Sequence, residues 1–368
     1  DKLRGKLAET KKLTEEMVKV FEAGAKQSMG GFGLMWAGTK TLSVFNNTFG
    51  ASVKVAASFE QAMARVKAVA GATPELFERL TAKAKQLGRE TQFTSMDAAS
   101  ALETIIRAGQ SPEDALKSVD AVLQLAAADG LTLAESANII SEAMNMFGKS
   151  AEDATDIANL YAQASRKSSL DSRSLAMAMK HAGTSAKSMN MSIEEMTTWI
   201  AALSNAGLKY TKAGTQFAGV IDSIVSEESI AKLKEARIQI SEAMSPREIL
   251  KAVGEGIKSM DVAKRTSLLK EAFGAINKKG AYVLSVKAGE EDVNLNLDAL
   301  FNTISDFKGA AGDMQNIMTD TLTGATNRLT SATEALNIAI GNIFKDSYTW
   351  VINRLADFKG WIAQIIEE

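Results

Sequence analysis

An all-α fold, built as an array of short antiparallel capped helices forming a compact bundle, is the class that this sequence predicts. Three observations carry it. The first is a helix grammar that occurs three times in the middle of the chain: a Thr or Ser cap, an acid three residues on, an alanine-rich apolar stripe and a closing Gly. The copies run Thr94–Asp97 to Gly109, Thr132–Glu135 to Gly148 and Ser192–Glu195 to Gly207, with cap-to-Gly spacings of 15, 16 and 15. A cap and acid at this spacing satisfy the unpaired N–H groups of a helix start, and a Gly past the end takes the left-handed turn at no steric cost. The second observation is the set of further starts between and after the copies, at Ser111-Pro112-Glu113-Asp114, Ser150 with Asp153, and Ser245-Pro246-Arg247-Glu248. Proline at the first helical position gives up an N–H that would be unpaired anyway. The third is composition: only 3 prolines and 6% aromatic residues in 368 suit helices that approach closely.

The elements follow in order. Residues 1–27 form a charged N-terminal helix, with Leu3, Leu7, Met17 and Phe21 in a partial heptad that Thr10 and Thr14 interrupt. Residues 28–58 are Gly-rich and apolar, with Gly30, Gly31, Gly33, Gly38 and Gly50 among Phe32, Leu34, Met35 and Trp36. Those four large side chains are candidates for a membrane or partner contact. Lys40 and Lys54 interrupt the segment, and no uncharged apolar stretch reaches the ~18–20 residues that span a bilayer. Residues 59–225 hold the capped array. Its apolar positions, such as Ala98, Ala101, Leu102, Ile105 and Ile106, recur at the three-and-four spacing of an amphipathic helix. Helices this short do not persist alone in water, so neighbours must hold them.

A smaller helical subdomain is expected over 226–288, with a brief extended piece at Ala236–Ile240 before two helices. Residues 289–368 carry long C-terminal helices with coiled-coil heptads. Phe344, Tyr348, Val351, Leu355, Phe358, Ile362 and Ile365 occupy every a and d site of a seam that is a candidate self-association surface. Upstream, Leu322, Leu329, Leu336 and Ile343, partnered by Ala325, Ala332 and Ala339, follow a different phase. The one-residue slip at 343–344 predicts a stutter, bend or break.

Composition limits the chemistry. Lys plus Arg total 42 against 44 Asp plus Glu, a balance that argues against nucleic-acid binding. There is no cysteine, so disulfides and thiolate metal sites are excluded. The one histidine, His181, sits near a helix end, which removes His-based triads and His-rich metal sites. No phosphate loop is present, because Gly254 to Ser259 has the wrong spacing, and there is no nucleophile elbow. The acid pair Glu194–Glu195 is explained by its capping box and the helix dipole, and Glu290–Glu291 falls in an expected loop. Met177, Met179, Met189, Met191 and Met196 read as core filling, with a partner-binding face as the alternative. The basic pairs Arg166–Lys167 and Lys278–Lys279 read as solvated ends. No cofactor, metal or catalytic residue is expected. The chain begins at Asp1 and ends at Glu368 inside an apolar helical pattern, and it reads as a piece of a longer protein.

The blocks FEQAMARVKAVAG at 59–71, LGRETQFTSMDAASALETIIRAGQSPEDAL at 87–116 and AAADGLTLAESANIISEAMNMFGKSAEDATDIANLYAQAS at 126–165 resemble the core region of phage tail tape measure proteins. So do LAMAMKHAGTSAKSMNMSIEEMTTWIAALSNAGLKYTKAGTQF at 175–217, LLKEAFG at 268–274 and LTGATNRLTSATEALNIAIGNIF at 322–344. The resemblance implies a non-enzymatic structural protein that fixes tail length during assembly, fills the tail lumen as an oligomer and leaves ahead of the DNA. The partners it implies are further copies of itself and tail tube, baseplate or tail chaperone proteins. A homotrimer is expected, since a threefold bundle fits a tube with rotational symmetry. The alternatives are a membrane-interacting segment of a genome-delivery channel and, behind it, a peptidoglycan hydrolase. A ruler must be long, at ~1.5 Å per helical residue, whereas 59–286 is chopped into short elements. The array is therefore expected to be a folded body attached to the ruler.

Overall fold

The structure is a computed structural model that describes residues 31–241, 243–288 and 297–367; for 31–49, 347, 350–351, 354–355 and 358–367 it describes the backbone alone. Among the described residues the fold is all-α, without a strand. The expected extended piece therefore pairs with nothing: Arg237 turns through a positive φ of 61°, and Ile238 is buried as an anchor.

The chain forms two compact units, one drawn from its ends (up to Ser100 and from Ala325) and one from Ala101–Gly324. Helix α1 spans Gly31–Ala70, so the Gly-rich segment and the start of the array share one element. It is followed by α2 (Pro74–Glu90) and by α3 (Ser95–Arg107), which the division between the units cuts after Ser100, and the end-derived unit also takes in most of the 46-residue α15 (Leu322–Glu367). Its core includes Val53, Phe59, Met63 and Val66 of α1 and Leu80 and Leu87 of α2.

The middle unit contains α4 (Pro112–Asp129), α5 (Leu133–Phe147), a short 3-10 turn (Ala151–Asp153), α6 (Ala154–Lys167), α7 (Ser172–Ser188) and α8 (Ile193–Asn205). It continues with α9 (Thr211–Ile224), α10 (Glu227–Glu235), α11 (Pro246–Lys258), α12 (Val262–Ala288), α13 (Leu297–Ser305) and α14 (Ala310–Thr319). Helix α9 lies on α7 and α12, α11 on α12, α13 on α8, and α4 on α6 and α14.

The caps work as the local sequence dictates. Thr132, Ser192 and Ser245 each accept from the N–H three residues on, and Glu135, Glu195 and Glu248 close the reciprocal bond. At α3 the Thr94 N–H donates to the Asp97 carboxylate at 3.0 Å, and the Asp97 N–H donates to the Thr94 hydroxyl at 3.0 Å. Gly109, Gly148 and Gly207 all carry positive φ, at 97°, 63° and 87°. Arg173 grips Glu135 at 2.8 Å. The bonds from Arg173 and Thr132 hold the Glu135 carboxyl down at about 2.

Burial sorts the residues by size and polarity. Tyr161 is fully buried, its hydroxyl donates to the Met179 sulfur at 2.9 Å, and burial pushes its pKa well up. Trp199 meets Phe217 edge-on, with ring centroids 5.8 Å apart. Met179, Met191 and Met196 fill core, whereas Met177 is 47% exposed.

Two buried amides bind α13 and α14 to the array. Gln163 on α6 donates through Nε2 to the carbonyls of Thr303 (2.7 Å) and Asp306 (2.9 Å), which lie at the end of α13. One helical turn earlier, Asn159 Oδ1 accepts from the Ala311 N–H at 2.9 Å, in the first turn of α14. Gly309 stands at the N-cap of α14 and has no side chain to cap with. One face of α6 thus satisfies both the end of one helix and the start of the next.

Candidate interaction surfaces

The site residues expected from sequence fall mainly on α15, and its backbone runs without a break from Leu322 to Glu367. The expected bend at 343–344 is therefore not there. The physical reason is that the two heptad phases occupy two faces of one continuous helix, which needs no insertion to accommodate them.

One face is used inside the end-derived unit. Ser331, Glu334, Ile338, Gly341 and Phe344 are buried along it. Gly341 is required there, because a Cβ at that position would run into the Ser52 carbonyl and the Ala56 methyl of α1. Phe344, 2% exposed, packs with Val53, flanked by Ile340 and Tyr348. Polar links fix the register: Ser52 donates to Asn337 Oδ1 at 2.9 Å, and Lys345 pairs with Glu60 at 2.7 Å. Glu334 accepts from the Met96 N–H at 3.2 Å in the first turn of α3, and burial raises its pKa. A carboxylate at a helix start is electrostatically favoured even where burial opposes its charge.

The other face carries the upstream phase, and it is exposed. Leu329 is 68%, Leu336 51% and Ile343 39% exposed, with Ala325, Ala332 and Ala339 exposed between them. Large residues alternate with alanines at heptad spacing along this stripe. Its flanks, including Thr326, Thr333 and Asn342, carry little charge. A regular apolar seam of this period matches another helix of the same period, and alanine at alternate sites lets backbones approach closely.

Of the residues expected to self-associate, Phe344 and Tyr348 thus pack within the chain. Val351, Leu355, Phe358, Ile362 and Ile365 continue α15, and their side chains lie outside the described residues, as do those of Phe32, Leu34, Met35 and Trp36 on α1. The charged helix expected over 1–27 and the acids Glu290 and Glu291 also lie outside the described residues. His181 is exposed on α7, and Glu195 is engaged in its capping box. Among the described residues no helix is long and apolar enough to cross a membrane, and no cluster of three or more metal-ligating side chains forms. The exposed stripe was legible as a heptad in the sequence; the signal missing there was which of two stripes the chain itself covers.

Comparison with known proteins gives a consistent result. Residues 81–274 match the family model described as phage-related minor tail protein. The tape measure protein of Pneumococcus phage Dp-1 is 28% identical over 366 residues, which cover 98% of this chain and 30% of that protein. The probable tape measure protein of Escherichia phage P2 is 26% identical over 288 residues, covering 76% of this chain and 35% of its own length. The chain spans about a third of the length of the curated relatives it matches. No solved structure matches it.

Proposed function

The chain belongs to the phage-related minor tail protein family, and from that premise we propose that it is a folded segment of a tape measure protein whose copies join through the exposed stripe of α15. Its role as a structural component of a phage tail agrees with both relatives, one a tape measure protein and the other a probable tape measure protein. The finer reading is that the protein takes part in tail length determination and tail assembly, occupies the tail lumen and is released during genome ejection. Its partners in this reading are further copies of itself, three in number to match the rotational symmetry of a tube, and tail tube, baseplate or chaperone proteins.

The observation that carries self-association is the exposed Leu329–Ala332–Leu336–Ala339–Ile343 seam on a helix whose other face is already filled by Phe344 and Gly341. Burying each leucine between copies contributes about 2 kcal/mol. The 46 residues of α15 extend about 70 Å and the 40 of α1 about 60 Å, so these two helices are the rod-like elements among the described residues. Helices α4–α14 are a body, not a ruler.

A phage that encodes this chain with Leu329→Glu and Leu336→Glu tests the reading. Both positions are solvent-facing, so the units still fold. Loss of tails, or tails of scattered length under negative-stain microscopy, is expected. Tails of normal, uniform length would remove the stripe from assembly.

A further inference from the structure

Helix α12 contains a break that the tail reading does not use. Gly274 stands at φ 83° and ψ 162°, outside the helical region and open only to glycine, so the element is two arms, 262–273 and 275–288. Between the arms, closed at one end by the residues that follow α8, is a cleft of ≈ 330 Å³. Its floor is apolar, made by Leu208, Leu269 and Val283, and its rim carries Arg265, Lys278 and Lys279. The Arg265 guanidinium lies over the Tyr282 ring at 5.0 Å, which turns the charge across the cleft mouth.

No carboxylate lines this space. The acids at and just before the first arm are engaged locally: Asp261 with the Lys264 N–H (2.9 Å) and ammonium (3.5 Å), and Glu271 with the Ser267 hydroxyl (2.7 Å). Among the described residues none of the three rim cations has an ion pair, which they share with other cations of the unit such as Lys209, Lys212 and Lys251; what sets them apart is that all three line one apolar cleft. In a chain of formal net charge −2, three cations without a lining carboxylate converge on one apolar floor. The sequence pair Lys278–Lys279 reads as a solvated helix end, but the turn at Gly274 brings both lysines round to face Arg265.

We propose that the cleft between the arms of α12 is a docking site for an acidic peptide segment of a partner protein, one in which carboxylates flank an aliphatic anchor. The anchor fits the Leu208–Leu269–Val283 floor, and the carboxylates meet Arg265, Lys278 and Lys279. A space of this volume accepts one or two side chains, which favours a peptide over a nucleic-acid backbone, whose contacts need a long basic track. The proposal is independent of the α15 stripe.

The test is fluorescence anisotropy on the full chain. The probe is a labelled peptide of about ten residues with two central leucines between glutamate pairs. Controls are the same peptide with glycines for leucines, vesicles of phosphatidylglycerol, and a short DNA duplex. Micromolar binding of the leucine peptide is expected, weakened at least tenfold by K278E/K279E and independently by R265E, and reduced by added salt. Circular dichroism and an unchanged unfolding midpoint confirm that the variants fold. Three outcomes overturn the proposal: no binding of the leucine peptide, equal binding by wild type and folded variants, or equal binding of the glycine peptide. Tighter binding of vesicles or duplex that the same substitutions abolish would also overturn it and assign the cleft to that ligand.

Discussion

Gly214→Ala is expected to destabilise the Ala101–Gly324 unit by about 3 kcal/mol, although alanine is intrinsically the better helix former by ~1 kcal/mol. Gly214 on α9 faces the backbone of α7, and a Cβ there would fall against the Ala178 carbonyl oxygen, far inside van der Waals contact. A carbonyl inside a helix cannot rotate away, so α9 and α7 must separate along one of the main interhelix contacts of the unit. Thermal unfolding should shift down by about 6–12 °C, taking 2–4 °C per kcal/mol for a unit of this size. The companion substitution Gly183→Ala, on α7 itself, separates sterics from propensity. The atoms nearest its Cβ all belong to the thioether of Met146, a flexible side chain that can yield. A change within about 1 kcal/mol of zero is expected there. Equal melting of the two variants would contradict the close packing of α7 on α9.

Gln163→Leu should have the second large effect. Gln163 is 2% exposed, and the substitution removes the donor from the Thr303 and Asp306 carbonyls and the acceptor that Arg166 uses at 2.6 Å. Buried groups left without partners cost ~1–3 kcal/mol each, so a loss of about 2–4 kcal/mol is expected. The loss should be regional. Hydrogen exchange measured by mass spectrometry should rise about 30- to 700-fold across 297–319, at ~1.4 kcal/mol per tenfold, while α4 and α5 keep their protection. Asn159→Leu should do the same for the first turn of α14 alone. Unchanged exchange in 297–319 would mean that another contact holds those helices.

These amides illustrate what the sequence does not disclose. A capping box is legible because its two partners are three residues apart, and Thr132–Glu135, Ser192–Glu195 and Ser245–Glu248 all formed as read. The bond from Asn159 to Ala311 spans 152 positions, and no local pattern marks it. Helix α14 starts at Gly309 with no cap of its own in the sequence, so its beginning was invisible without α6.

The heptads show a second kind of limit. Apolar spacing on α15 identifies two stripes, but not which one the chain covers. The choice follows from shape. Gly341 lets α1 come close enough for Val53 to cover Phe344. The Lys278–Lys279 pair shows a third: without the reversal at Gly274, two lysines at a helix start are indistinguishable from ordinary solvated ends.

The central claim is that copies of this chain associate through the exposed α15 stripe, and sedimentation equilibrium of the purified chain tests it most directly. The predicted result is a mass near three times the 39.2 kDa of one chain, falling to a single chain with Leu329→Glu and Leu336→Glu while helical content is retained. A wild-type chain that sediments as a monomer at tens of micromolar, or an oligomer whose mass the double substitution leaves unchanged, would contradict it.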